Sequence, residues 1–160
     1  MSEKINFKTN AIRILESEKI NYILHKYDHD EGFVDGVSVA SKLGEKYSQV
    51  FKTIVTKGAS NEYFVFVLPV DKEINLKAAA RVAGEKSVDM IKVSDITKIT
   101  GYIRGGCSPI GMKKKFKTVI DSSCLDQKTI IVSAGKIGYQ MELDPQDLIR
   151  AADCIVESIT

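Results

Sequence analysis

The chain is poor in the residues that metal centres and disulfide frameworks require: in 160 residues there are two histidines and three cysteines. Cys107, Cys124 and Cys154 are odd in number, widely spaced and form no CxxC or CxH pattern. A structural zinc site draws on four paired Cys/His ligands, and a secreted scaffold on evenly paired cysteines. Neither set is present, so no metal and no cofactor is expected. Long apolar runs are also missing. No window approaches the roughly 18 apolar residues that a membrane-spanning helix needs, and the opening Met-Ser-Glu-Lys-Ile-Asn lacks a signal-peptide core. A soluble, cytoplasmic protein with no membrane contact is the expectation. Strong charge of either sign is absent too. A net charge of +2 does not mark a nucleic-acid binder by itself.

What is present is ordinary globular material, 44% hydrophobic and 28% charged. No repeat, low-complexity segment or Pro/Gly/Ser linker divides it. One compact domain over residues 1–160 follows, long enough to bury a substantial core.

Local signals place the elements. Thr9 or Asn10 precedes the periodic Ala11, Ile14, Leu15, which reads as a short helix ending near Lys19. Tyr22–Tyr27 reads as a strand, and Asp28–Gly36 as polar and turn-forming. Ser38 reads as the cap of a helix through Leu43, with Gly44 beyond its end. Val50–Thr56 and Tyr63–Leu68 read as strands joined by a hairpin loop over Lys57–Asn61. Asn75 introduces a helix over Leu76–Ala83 that stops at Gly84, and Ser94 a shorter one over Asp95–Thr100. Thr118–Asp121, Thr129–Ser133 and Tyr139–Leu143 read as strands. Asp144-Pro-Gln-Asp147 then supplies N-cap, proline at the first position and an acidic third residue. The irregular interleaving predicts the α/β class, with a mixed, irregularly wound sheet flanked by short helices.

Three stretches invite chemistry. In Val50-Phe-Lys-Thr-Ile-Val55 alternate residues share a face, and both faces are largely apolar, as in a covered strand. Lys52 interrupts one of them. Either it meets a ligand or partner there, or it sits at a strand end and snorkels to water. The window Gly101–Gly111 carries four glycines, and Gly105-Gly106 can form a concave loop whose amides take a carbonyl oxygen or a phosphate. Its alternative is a tight structural turn. Ser133–Gly138 reads as a plain β-turn and lacks Walker A spacing. Cys107 lies in the glycine window, but no histidine stands near it in sequence to make a thiolate. Lys113, Lys114, Lys115 and Lys117 cluster around Phe116, either to meet phosphates or as a solvated loop.

Ile23–Asp30, Val50-Phe-Lys-Thr53, Thr100–Gly111, Val132–Gly138 and Leu143–Leu148, in that order, resemble the YbaK/EbsC family of Cys-tRNA(Pro) deacylases. That family is related to the editing domain inserted in bacterial prolyl-tRNA synthetase. The resemblance spans Thr9 to Leu148. It implies a cleft for the aminoacylated 3′ end of tRNA, with no metal and no cofactor. It also implies catalytic roles for Lys52, Gly105 and Gly106, and substrate contacts from Tyr27, Thr53, Ser108, Ser133 and Gly135. The implied reaction is hydrolysis of a mischarged ester, assisted by the substrate's own thiol; the alternatives are trans-editing of Ala- or Ser-tRNA, or a module that binds tRNA or the synthetase without turnover. Mischarged tRNA and prolyl-tRNA synthetase are the implied partners.

Overall fold

The computed structural model describes residues 8–27 and 36–160. The chain order is α1 (Asn10–Ser17), β1 (Ile23–Lys26), α2 (Gly36–Leu43), β2 (Phe51–Gly58), β3 (Tyr63–Pro69), α3 (Leu76–Ala83) and β4 (Val88–Met90). It continues with α4 (Ile96–Thr100), β5 (Lys117–Asp121), β6 (Ile130–Ser133), β7 (Tyr139–Leu143), α5 (Pro145–Ala152) and β8 (Cys154–Glu157). The turn-forming stretch read over Asp28–Gly36 lies outside the described residues, save Gly36, where α2 begins.

Helix ends follow the chemistry of their flanking residues. Thr9, Asn75 and Asp144 each accept a hydrogen bond from a first-turn amide, satisfying a donor that the helix leaves free. Thr9 also donates to the Ala134 carbonyl at 2.5 Å, which ties α1 to the loop after β6. Two expected caps differ. Ser38 lies inside α2, which starts two residues earlier. Ser94 lies inside a 3₁₀ turn, Val93–Asp95, that leads into α4 and has no side-chain cap.

The α/β class and the mixed sheet are as expected. Hydrogen bonding divides the strands into a three-stranded antiparallel sheet, β1-β7-β6, and a five-stranded mixed sheet, β4-β2-β3-β5-β8. Strands β3, β5 and β8 run parallel, while β2 pairs antiparallel with both β3 and β4. A single parallel bridge, Val50↔Ile131, joins the two sheets. The largest core cluster lies where they meet α1 and α5 and includes Ile12, Leu15, Val67, Ile120, Met141 and Leu148. A second, with Phe64, Phe66 and Leu68, packs β3 beneath the alanines of α3.

The last strand is anchored by one buried carboxylate. Asp121 accepts from the Ile159 amide at 2.9 Å and from the Ser123 hydroxyl at 2.6 Å. Asp121→Ala leaves that amide buried without a partner, and hydrogen bonds to a charged acceptor are worth about 1.5–3 kcal/mol each. The variant is expected to lose about 2–4 kcal/mol in urea unfolding. An unchanged midpoint would show that packing and the β5–β8 ladder hold β8 without the carboxylate.

Candidate functional site

A cleft of about 700 Å³ opens along one edge of β2. The register explains why it is there. The Val50 carbonyl accepts from the Val70 amide and the Gly58 amide donates to Glu62, so even-numbered residues of β2 turn their backbone polar groups toward β3. Odd-numbered residues face the other way, and the Val55 carbonyl accepts from Ile91 at 3.3 Å. β4 pairs with β2 over residues 56–58, and β6 touches it at Val50. Between those two strands the β2 edge at Thr53 borders the cleft.

The walls come from Val70, just past β3, and from five other segments. Tyr27 follows β1; Val37, Ser38 and Val39 belong to α2; Met90, Ile91, Val93 and Ile96 form one lip. Arg104, Gly105 and Cys107 come from the glycine window, and Ser133, Tyr139 and Gln140 from the β6–β7 hairpin. Val37, Met90 and Val93 leave apolar surface exposed at the mouth. Lys52 and Arg104 are the charged residues of the lining, and no carboxylate or histidine is among the described lining residues.

Lys52 is half-buried, and among the described residues its ammonium makes one long contact, a donation to the Val70 carbonyl at 3.4 Å. Burial lowers its pKa from the ordinary lysine value, and the carboxylates of Glu73 and Asp71 act in the opposite direction. An ammonium held this loosely in partial burial is poised for an anionic or carbonyl ligand. Lys52 is the second residue of β2 and lines the cleft, half-buried.

The expected site residues divide into two groups. Tyr27, Lys52, Thr53, Gly105 and Ser133 come together in the cleft. Gly106, Ser108 and Gly135 are not in its lining. The Gly106 amide donates to the Ile103 carbonyl at 2.9 Å, so it is taken within the window and is not paired with Gly105 as a two-amide cradle. A Cβ at Gly106 would lie 3.0 Å from the Ile137 nitrogen, so this glycine lets the window pack on the 134–138 loop. Ser108 is fully buried, and its hydroxyl accepts from the Ile110 amide at 3.3 Å. A Cβ at Gly135 would meet the Tyr102 ring at 2.8 Å. These three shape the loops that carry the site. Ser133 does both jobs, since the residue lines the cleft and its hydroxyl accepts from the Gly135 amide at 3.1 Å.

Sequence reasoning missed Gln140, Tyr139, Arg104 and the α2 residues. Gln140 is 6% exposed, and its Oε1 has no hydrogen-bond partner; the Thr53 hydroxyl is likewise buried and unpartnered. In Tyr139-Gln-Met-Glu-Leu143 the alternation reads as a strand with a watered face, which conceals a buried amide.

Cys107 lines the cleft, but burial pushes its thiol up to about 11, despite a hydrogen bond with Thr100. A thiol so placed stays protonated at neutral pH and is a poor nucleophile. Cys107→Ala is expected to keep deacylation within about threefold of wild type, because buried Cys acts as a small hydrophobe. A loss of several orders of magnitude, with the melting curve unchanged, would make the enzyme thiol the nucleophile. Cys124 is fully buried, and Cys154 packs against the same core. Among the described residues no group of three or more His, Cys, Asp or Glu is placed to hold a metal, and no helix is long and apolar enough to cross a membrane.

The exposed lysines lie beside the window. The Lys113 amide donates to the Thr100 carbonyl at 2.9 Å, Lys115 pairs with Asp153 at 3.3 Å, and Lys117 reaches the Val82 carbonyl at 3.2 Å.

Fold and cleft together define a compact α/β protein whose cleft is lined by a half-buried lysine and by residues of two glycine-containing loops. The sequence profile of the aminoacyl-tRNA editing domain matches residues 33–151, and the chain belongs to that family. EbsC of Enterococcus faecalis, named for Cys-tRNA(Pro)/Cys-tRNA(Cys) deacylation, is 42% identical over 158 residues, covering 99% of this chain and 96% of EbsC. A proline–tRNA ligase of Fervidobacterium nodosum is 29% identical over 101 residues, which is 63% of this chain and 17% of the ligase. A crystal structure described as a trans-editing enzyme for prolyl-tRNA synthetase superposes with a TM-score of 0.80. It is 17% identical and covers 97% of this chain and 99% of that one, which is likeness of fold.

Proposed function

We propose that this chain, as one editing domain over residues 1–160, is a cytoplasmic deacylase that cleaves the ester of Cys-tRNA(Pro). The observation that carries the reading is a cleft holding a half-buried lysine and no activated nucleophile of its own. The described lining has no histidine or carboxylate to act as base, and the one lining thiol is held protonated. The nucleophile is then assigned to the substrate. Its cysteine sulfur attacks the carbonyl carbon of its own ester; a C–S bond forms, and the bond from that carbon to the ribose oxygen breaks. The thiol proton ends on the ribose hydroxyl, and the products are a cyclic thioester and uncharged tRNA. Intramolecular attack gains from proximity, so the protein need only fold the aminoacyl group toward the ribose.

In this reading Lys52 holds a phosphate or ribose oxygen of the terminal nucleotide, and the Gly105 backbone faces the ester. Tyr27, Thr53 and Ser133 close around the aminoacyl group. Gly106, Ser108 and Gly135 hold the loops in shape. The modest net charge supports modest affinity for tRNA alone, with prolyl-tRNA synthetase as the partner that supplies tRNA selection. The test is a deacylation panel with Cys-, Ala- and Ser-tRNA(Pro). Clearance of the cysteinyl ester alone is expected. Equal clearance of the alanyl or seryl ester would remove the thiol route.

A further inference from the structure

We propose that Gln140 is the residue that receives the α-amino group of the aminoacyl substrate, its buried and unpartnered Oε1 facing a donor supplied by the ligand. The proposal rests on the deacylase reading and adds the subsite to it. Gln140 sits opposite Ser133 in the β6–β7 register, so the two side chains share one face of the sheet, and both line the cleft. The bridge between Val50 and Ile131 sets β6 beside β2 two residues before Ser133 and Lys52 respectively. Gln140 therefore stands on the same floor as the lysine.

The chemistry selects the amine. A buried carbonyl oxygen without a partner is costly, and such groups are nearly always satisfied in the functioning state. Among the described lining side chains only Gln140 carries an oxygen that accepts without also being able to donate. An aminoacyl ribose has one strong nitrogen donor, the α-amine. Lys52 and Arg104 are the charged side chains among the described lining residues, and two cations disfavour a third, the α-ammonium. The neutral amine still has two N–H groups for a neutral acceptor. On the other side of Gln140, His25 pairs with Glu142 at 2.7 Å.

The test compares Cys-tRNA(Pro) with tRNA(Pro) carrying the 3-mercaptopropionyl ester, which keeps the thiol and lacks the α-amine, in wild type, Gln140→Met and Gln140→Asn. Gln140→Met keeps length and burial, while Gln140→Asn withdraws the oxygen by one methylene and guards against misfolding of the first variant. Removal of the amine is expected to lower wild-type kcat/KM by about 10- to 100-fold, in line with loss of a buried hydrogen bond. Each variant is expected to lose about the same on the cysteinyl substrate and to have little further to lose on the one without the amine. Additive losses, or variants that keep wild-type discrimination, overturn the assignment of Gln140. A wild-type protein that cleaves neither substrate overturns the deacylase reading, and this one with it.

Discussion

Lys52→Ala is expected to lower deacylation of Cys-tRNA(Pro) by about 10²–10³-fold or more, the loss seen when one preorganised electrostatic group is removed from a site. Folding is expected to survive the change. Lys52 has a single long hydrogen bond to Val70 and no ion pair among the described residues, so little stabilising contact is lost. Its partial burial is a cost that alanine removes, and the melting temperature is expected to hold or rise at neutral pH. The sign of the pH dependence follows from the lowered pKa. Between that lowered value and the ordinary lysine value, the unfolded chain binds more protons than the folded one, so wild-type stability increases with pH. The alanine variant lacks this increase. Activity runs the other way: it falls as pH rises through the lowered pKa, because the ammonium is the working form. Full activity in Lys52→Ala would remove the lysine from the mechanism. Loss of activity together with loss of the folded signal would make its role structural.

How far the sequence carries can be judged at particular residues. Thr9, Asn75 and Asp144 were legible because a cap is a local contract between one oxygen and an amide two or three residues on. Lys52 was legible because a charge interrupts an apolar face. Strands β4 and β8 were not, since Val88–Met90 and Cys154–Glu157 are short and carry no period of their own; each exists by pairing with a neighbour far along the chain. The division into two sheets is equally non-local, because it depends on β1 choosing β7 and on β6 meeting β2 only at Val50. The glycine loops were legible as demanding backbone. Which of their residues face the cleft was not, because the answer lies in contacts between the two loops, such as Gly106 against Ile137. Gln140 had no signal at all. Its strand alternates as a half-exposed strand should, and only the packing of β1 and the hairpin turns its polar face inward.

The window's last glycine gives the sharpest test of that packing. Gly111→Ala is expected to cost about 2–5 kcal/mol, the sum of about 1–2 for a side chain in the left-handed region and about 1–3 for overpacking. At Gly111 φ is +80°, and a Cβ would fall 2.9 Å from the Ala11 nitrogen, 2.9 Å from the Asn10 carbonyl carbon and 2.8 Å from the Tyr102 hydroxyl. The first two are backbone atoms at the start of α1 and cannot swing aside. Tyr102 is no freer, since its hydroxyl donates to the Ile110 carbonyl at 2.7 Å. Gly84→Ala is the control: φ is +76° there, but nothing lies within 4 Å of the added carbon. It should cost about 1–2 kcal/mol, from strain alone. The comparison separates conformational strain from crowding in one fold, by urea unfolding of both variants. Equal losses would mean that α1 gives way to the window; the larger loss at Gly111 means that α1, held by Thr9 to the Ala134 carbonyl, is the wall on which the site's main loop is built.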